Sequence, residues 1–343
     1  MSDRPPRGSP NGALVSVIVP TRNEAQHIAS CLEAIFASTY PVDQLEVLVV
    51  DGESEDDTVR LARAVGAGHR LDVLSNPKRS RTAALNIGIE RARGEIIMRV
   101  DARTLVPPEY IARCVDALHR TGADNVGGVM RPLGDTPTQI AVGLAMSHPL
   151  GVGNARFRLG GKSGPVESAY LGCFRRDVFD RVGRFDEESG IISEDADINE
   201  RIRRAGGLVY LDSETVVYFR PRQSIGGLRK LYVRYGGARA GFALKHRRFT
   251  SWRQLVPPAF FVALAALAIA SVWLGGARVA LGLLVGVYVA TTVVVCVQLR
   301  LRSRAAGVFW PLLAVFPTMH YAHAYGFFKK LLRGRRDTKE WPD

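Results

Sequence analysis

Val15–Glu24 reads VSVIVPTRNE, a continuous apolar run that ends in a polar loop, and the following ASCLEAIFAST has its apolar residues at helical spacing. LEVLVVDGESEDDTVRLARAV, residues 45–65, repeats the pattern with an apolar run, Asp51 at its end, an acidic turn and then a helix. GEIIMRVDART supplies another strand running into Asp101. Strand, loop and helix in alternation predict an α/β domain with a parallel, doubly wound sheet. Ligands of such sheets lie at the carboxyl ends of the strands, where Thr21–Glu24, Asp51–Ser54 and Asp101–Arg103 all fall.

These loops are rich in carboxylates rather than glycine. No GxGxxG follows the first strand and no GxxxxGK[ST] occurs anywhere, so neither a dinucleotide cofactor nor a P-loop is supported. Carboxylates suit reading a base or ribose through hydrogen bonds, with a divalent cation on a diphosphate. A single Asp after a strand also serves as a helix cap or turn residue, and it is the set that points to a site. SEDADINERIRRAG, residues 193–206, gathers four more carboxylates within eight residues. Ile198, Ile202 and Ala205 fall at helical spacing, which assigns Asp197, Glu200, Arg201 and Arg204 to a solvated outer face. Glu194 and Asp195 stand at the helix entrance, where the exposed N–H groups favour an anion and a carboxylate can be aimed into a cleft.

The charge is divided unevenly. Residues 1–214 carry a net −4 and residues 215–343 a net +17, with no Asp or Glu between Glu214 and Asp337. That acid-free region also holds the longest apolar runs. Pro257–Leu274 and Val279–Val297 are each uncharged and close to the roughly 20 residues that span a bilayer core. KHRRFTSWR precedes the first and RLRSR follows the second, so both ends read as cytoplasmic. A third apolar stretch, 308–328, contains Pro311, Pro317, His320 and His323 and precedes the basic KKLLRGRR. A simple crossing would put that basic tail outside, so a broken, re-entrant or interfacial segment is expected, with a third full span as the alternative. Interleaving with such apolar runs argues against nucleic acid as the partner of the positive charge. Cys31, Cys114, Cys173 and Cys296 show no CxxC or Cys/His spacing, so a zinc site or disulfide framework is not expected. MSDRPPRGSPNG has no apolar segment for secretion, so the first domain is expected to stay in the cytoplasm.

VSVIVPTRNEAQHIASCLEAI, VLVVDGESEDDT, RTAALNIGIERARGEIIMRVDA, YLGCFRRDVFDRVGRFDE and SEDADINERIRRAG occur in the order expected of a family 2 glycosyltransferase. The chain resembles the membrane-attached bacterial members that build exopolysaccharide repeats on a lipid carrier, the succinoglycan-type glucosyltransferases in particular. The resemblance covers roughly 15–240 and, more loosely, the membrane tail. It implies a GT-A domain over 14–219 after a flexible 1–13, a basic amphipathic interface segment over 220–256, a membrane region over 257–330 and a basic cytoplasmic tail over 331–343. It further implies a multi-pass protein of the cell (inner) membrane.

The same resemblance implies an inverting transfer of one sugar from a nucleotide sugar, usually a UDP-sugar, to a lipid-linked saccharide. Donor contacts fall to Pro20, Thr21, Arg22, Glu24, Asp51, Ser54, Arg81, Asn86 and Asp101, with Asp51 on the uracil edge. Asp195 would be the general base, and Glu194 would position the acceptor or Asp195. A divalent cation, Mg2+ or Mn2+, is implied at Asp101. Two departures bear on this. The usual D-x-D is here Asp101-Ala102-Arg103, and a guanidinium cannot ligate a metal; Arg103 is then an alternative phosphate contact. The processive Q-x-x-R-W segment is represented only by LYVRY, 231–235, with Arg234 as a phosphate ligand or interfacial anchor, which favours single addition over polymerisation. Two other readings are a polyprenyl-phosphate sugar synthase and a non-catalytic membrane scaffold built on a degenerate transferase domain.

Overall fold

The structure, a computed structural model, describes residues 12–187, 194–249 and 252–333. Most of the expected N-terminal segment 1–13 and of the tail 331–343 lies outside the described residues. The strands in chain order are β1 Val15–Thr21, β2 Leu45–Asp51, β3 Leu71–Ser75, β4 Ile96–Arg99, β5 Thr104–Leu105, β6 Asn125–Pro132, β7 Gly164–Pro165, β8 Cys173–Arg175 and β9 Val209–Phe219. The helices are α1 Ile28–Phe36, α2 Thr58–Val65, α3 Arg81–Arg91, α4 Tyr110–Thr121, α5 Pro137–Ala145, α6 Pro149–Val152, α7 Arg156–Leu159, α8 Asp177–Val182, α9 Glu194–Arg204, α10 Ile225–His246, α11 Val256–Ala270, α12 Gly275–Ser303 and α13 Phe309–Arg333. They form two compact units, one of residues 12–131 and 156–219, the other of 132–155 and 220–333. The segment 132–155 thus groups with the helical unit rather than with the contiguous domain 14–219 read from the sequence.

In the first unit the strand order is β3-β2-β1-β4-β8-β6-β9-β5, with β7 beside β9. Every residue of β1 and β2 is buried, which is why these strands are mostly apolar instead of alternating, with Ser16 of β1 and Glu46 of β2 paired to each other. β1 pairs in parallel with β2 and β4, and β2 with β3, so this half is the doubly wound sheet expected. The other half departs from that expectation, because β8 runs antiparallel to both β4 and β6, and β5 and β7 run antiparallel to β9. Short strands such as Cys173–Arg175 have no strand–loop–helix repeat to announce them.

Register brings the strand ends together. Thr21 lies opposite Asp51, and Ile18 opposite Arg99. The carbonyl of Ile18 accepts from the N–H of Val100 on the β4 side, whereas that of Thr21 accepts from Gly52 on the β2 side. Alternation then turns Pro20 toward β4 just where β4 pairing ends, a place that needs no N–H donor. The sheet opens there.

In the second unit α13 packs along α10. A Cβ at Gly236 would collide with the carbonyl of His323, and one at Gly326 with the carbonyl of Val233, so each helix offers a glycine where the other's backbone crosses. The prolines at 311 and 317 do not break α13, which is one helix of 25 residues; this corrects the broken form of the segment expected over 308–328. Its buried face, Leu312, Val315, Phe316, Met319 and Phe327, holds it in place. His320 ties three elements, since its Nε2 donates to the carbonyl of Leu150 at 2.8 Å and its Nδ1 accepts from the Tyr288 hydroxyl at 2.9 Å. The glycine-rich stretch around His148 is correspondingly ordered, with α6 capped by the imidazole of His148, which accepts from the N–H of Leu150.

Trp252–Ala270 and Gly275–Ser303 are long and apolar enough to cross a membrane. Their apolar side chains face outward: Val262, Ile269, Leu283, Val287 and Val294 are all more than half exposed. A surface of that kind is unfavourable in water and suits a bilayer.

Candidate active site

The loop after β1 and the loop after β2 are fastened to each other. The N–H of Asn23 donates to Ser54 Oγ at 2.8 Å, and Asn23 Oδ1 accepts from the N–H of Glu55 at 2.9 Å. Asn23 takes a left-handed backbone, φ 53°, a conformation that Asn tolerates better than most residues. Asp51 is buried beneath them. Its carboxylate accepts from the Ser54 N–H at 2.8 Å, from Ser54 Oγ at 2.5 Å and from Thr21 Oγ1 at 3.3 Å. These donors are neutral, so they orient the carboxylate without cancelling its charge. Arg22 stacks its aliphatic stem over Gly52, and its Nε is buried with no hydrogen-bond partner among the described residues.

A second cluster forms at the end of β4. Arg99 closes that strand and is 2% exposed. Its Nε and one amino group donate to both oxygens of Asp101, at 2.7 and 3.1 Å, while the other amino group meets Asp195 at 2.8 Å and Glu194 at 3.0 Å. Helix α9 delivers those two carboxylates in its first turn. Asn199, on the same helix, anchors it by accepting from Asn125 Nδ2 at 2.6 Å. Arg81, at the start of α3, reaches Glu194 at 3.4 Å. Arg103 donates through Nε to both oxygens of Glu24, at 2.8 and 2.9 Å.

The environment separates the carboxylates. Burial works against ionisation of Asp101, but Arg99 and Arg81 overcome it and hold the carboxyl below its usual range. For Asp195 burial prevails: with Glu194 and Asp101 pushing the same way and Arg99 and Arg81 pulling back, its carboxyl is pushed up to about 7. Burial also raises Glu24 against the pull of Arg103. The arrangement therefore supplies one group close to its midpoint at neutral pH beside a fixed ion pair.

Of the residues anticipated from sequence, Thr21, Asp51 and Ser54 share one hydrogen-bonded loop, while Glu24, Arg81, Asp101, Arg103, Glu194 and Asp195 belong to one charge network. Asn86 is engaged elsewhere, its amide donating to the carbonyl of Phe185 and to Glu187, both at 2.8 Å, and accepting from the N–H of Phe185 at 2.9 Å. Arg234 lies on α10 in the second unit. The outer-face assignment of Asp197 and Glu200 is corrected: they are 2% and 1% exposed, and their carboxylates meet Arg201 at 3.0 Å and Arg204 at 2.8 Å. Sequence reasoning missed Arg99, although an arginine two residues before Asp101 at the end of an apolar strand shares a face with it. It also missed Tyr170, whose hydroxyl lies 3.5 Å from Thr104 Oγ1 and feels the charges of Asp101 and Asp195.

Residues 16–183 match the model of the glycosyl transferase family 2 domain. The succinoglycan biosynthesis protein ExoA of Rhizobium meliloti is 32% identical over 325 residues, which is 93% of this chain and 96% of that protein. The chain belongs to glycosyltransferase family 2. Also similar is a dolichyl N-acetyl-alpha-D-glucosaminyl phosphate 3-beta-D-2,3-diacetamido-2,3-dideoxy-beta-D-glucuronosyltransferase of Methanococcus voltae, 23% identical over 95% of this chain and 99% of its own length. Among solved structures, the mannosyltransferase PcManGT from Pyrobaculum calidifontis, in complex with GDP-Man and Mn2+, superposes with a TM-score of 0.67 at 23% identity, covering 96% of this chain and 91% of that one. This glycosyltransferase therefore has the GT-A fold.

A divalent cation fits the residues present poorly. Both Asp101 oxygens are taken by a buried guanidinium, the position two residues on is Arg103, and among the described residues no three His, Cys, Asp or Glu side chains stand together as a ligand set.

Proposed function

We propose that this glycosyltransferase moves one sugar from a nucleotide sugar, a UDP-sugar, to a lipid-linked saccharide with inversion at the anomeric carbon, working at the cytoplasmic face of the cell membrane. The observation that carries the reading is Asp195, a carboxylate held by Arg99 and raised to about 7, since a base near its midpoint is the one best suited to take a hydroxyl proton at neutral pH. Inversion needs a single base on the acceptor side and positive charge on the departing diphosphate, with no covalent enzyme intermediate. Asp51, oriented by neutral donors, is the group for the base edge of the donor. The two exposed apolar helices α11 and α12 hold the enzyme at the membrane where a lipid-linked acceptor resides.

The test is product analysis with full-length protein in lipid, a panel of nucleotide sugars and an extracted lipid-linked saccharide pool. Mass spectrometry should show the acceptor heavier by one sugar, and NMR of the product should show the anomeric configuration opposite to that of the donor. A product consisting of polyprenyl phosphate bearing a single sugar would replace this reading with a sugar-phosphate synthase. Saturable nucleotide binding without turnover on any acceptor would replace it with a scaffold. A cysteine at Thr338 should label only from the cytoplasmic side; labelling from outside would overturn the proposed topology.

A further inference from the structure

The carboxylate that a metal would need is already occupied by a cation that belongs to the chain. Arg99 is 2% exposed and holds both oxygens of Asp101 while its third donor edge meets Asp195 and Glu194, so three carboxylates meet one buried guanidinium. Where a second acidic ligand would stand, Arg103 projects instead, 41% exposed along its side chain. Its bonds to Glu24 both run through Nε, which leaves the outer amino groups for an incoming anion. Arg81, at the start of α3, stands beside Asp101 and Glu194 with 32% of its side chain exposed. An ion brought to Asp101 must compete with a bidentate guanidinium and meet two further positive charges nearby.

We propose that in this transferase the guanidinium groups of Arg81, held at Glu194, and Arg103, held at Glu24, take over the charge compensation that a divalent cation would supply to the leaving diphosphate. The inference rests on the donor being a nucleoside-diphosphate sugar. In the step itself the acceptor oxygen bonds to the anomeric carbon while the bond from that carbon to the phosphate oxygen breaks. The bonding pair leaves on the diphosphate, and the acceptor proton passes to Asp195. The new negative charge then lies on the diphosphate, within reach of five-donor guanidinium forks that bind two oxygens at once. Arg99 is a positioning residue: it touches the carboxylates and not the donor.

The experiment is calorimetric titration of UDP, and of GDP in parallel, into the full-length protein in lipid, first with excess EDTA and then with millimolar Mn2+. The wild type should bind one nucleotide with dissociation constants that agree within about twofold in the two conditions. Donor hydrolysis should likewise survive EDTA. Arg103→Asp, which restores the missing acid, should lose about tenfold or more in EDTA and regain binding in Mn2+. Wild-type binding that requires Mn2+ overturns the inference and leaves the donor reading standing. Binding of neither nucleotide in either condition overturns both. An Arg103→Asp protein that binds as the wild type does in EDTA removes Arg103 from the diphosphate.

Discussion

Asp51 and Asp101 lie at the ends of β2 and β4, on either side of β1, yet their charges are handled in opposite ways. Among the described residues Asp51 receives neutral donors alone, from its own turn and from Thr21 across the sheet. Asp101 is clamped by Arg99, and through Arg99 it is joined to Glu194 and Asp195, more than ninety residues away. Neutral donors leave a carboxylate its charge and its spare lone pairs, as reading a base requires. A guanidinium clamp removes most of the charge and fixes the geometry, as holding a base beside a leaving anion requires. In the proposed reaction one strand end serves recognition and the other chemistry.

The sharpest way to break this contrast is at Asp195. Asp195→Asn should lower sugar transfer by about two to four orders of magnitude, the range for loss of a general base, and leave nucleotide affinity nearly intact. Near-normal turnover would take the proton-accepting role from Asp195. Asp51→Ala should do the reverse, weakening donor binding by about 1–3 kcal/mol for lost buried hydrogen bonds with a smaller effect on the chemical step. Equal calorimetric affinity for wild type and variant would reduce Asp51 to a turn residue that serves only Ser54 and Thr21.

A smaller effect is expected in the pH profile. A base at about 7 makes transfer rise with pH below neutrality and level off above it. Arg99 pulls Asp195 down, so Arg99→Lys, which keeps the charge but loses the fork, should move the midpoint upward by about one unit. A merely structural role for Arg99 would lower the amount of folded enzyme without moving that midpoint.

The two strand ends also differed in how far they could be read. Asp51–Ser54 and Thr21–Glu24 follow apolar runs directly, and their partners are local or on the adjacent strand. Asp101 was legible by the same logic, but its partner was not, because Arg99 sits inside what reads as the strand itself and its burial depends on Asp195 arriving from α9. Asp197 and Glu200 failed for a related reason. The spacing of Ile198 and Ile202 identifies one buried face, whereas α9 is buried on several sides, and its buried acids pair with Arg201 and Arg204 at the rim. In the helical unit, length and absence of charge located α11 and α12, while Pro311 and Pro317 suggested a break in α13 that does not occur.

The smallest expected effect concerns stability and follows from the sign of the shift on Asp195. Burial raises its carboxyl from an ordinary value near 3.8 to about 7, so between those values the folded protein binds a proton that the unfolded chain has released. Stability contributed by this group is therefore fully present below about pH 4 and is lost as pH rises to about 7. Arg99 keeps Asp101 and Glu194 as partners when the third carboxylate is neutralised, so no buried guanidinium is left unpaired. Asp195→Asn should consequently unfold at a higher temperature than the wild type, by about 2–4 °C for each kcal/mol recovered in a domain of this size. The side chain is 25% exposed, and solvent screening keeps the gain to the low end. The difference should be absent at about pH 4, open through the acid range and be complete above about pH 7. A gain that is the same at every pH would mean that the variant repacks the site. A loss at neutral pH would mean that the attraction of Arg99 outweighs burial at Asp195, leaving a carboxylate too acidic for the base proposed.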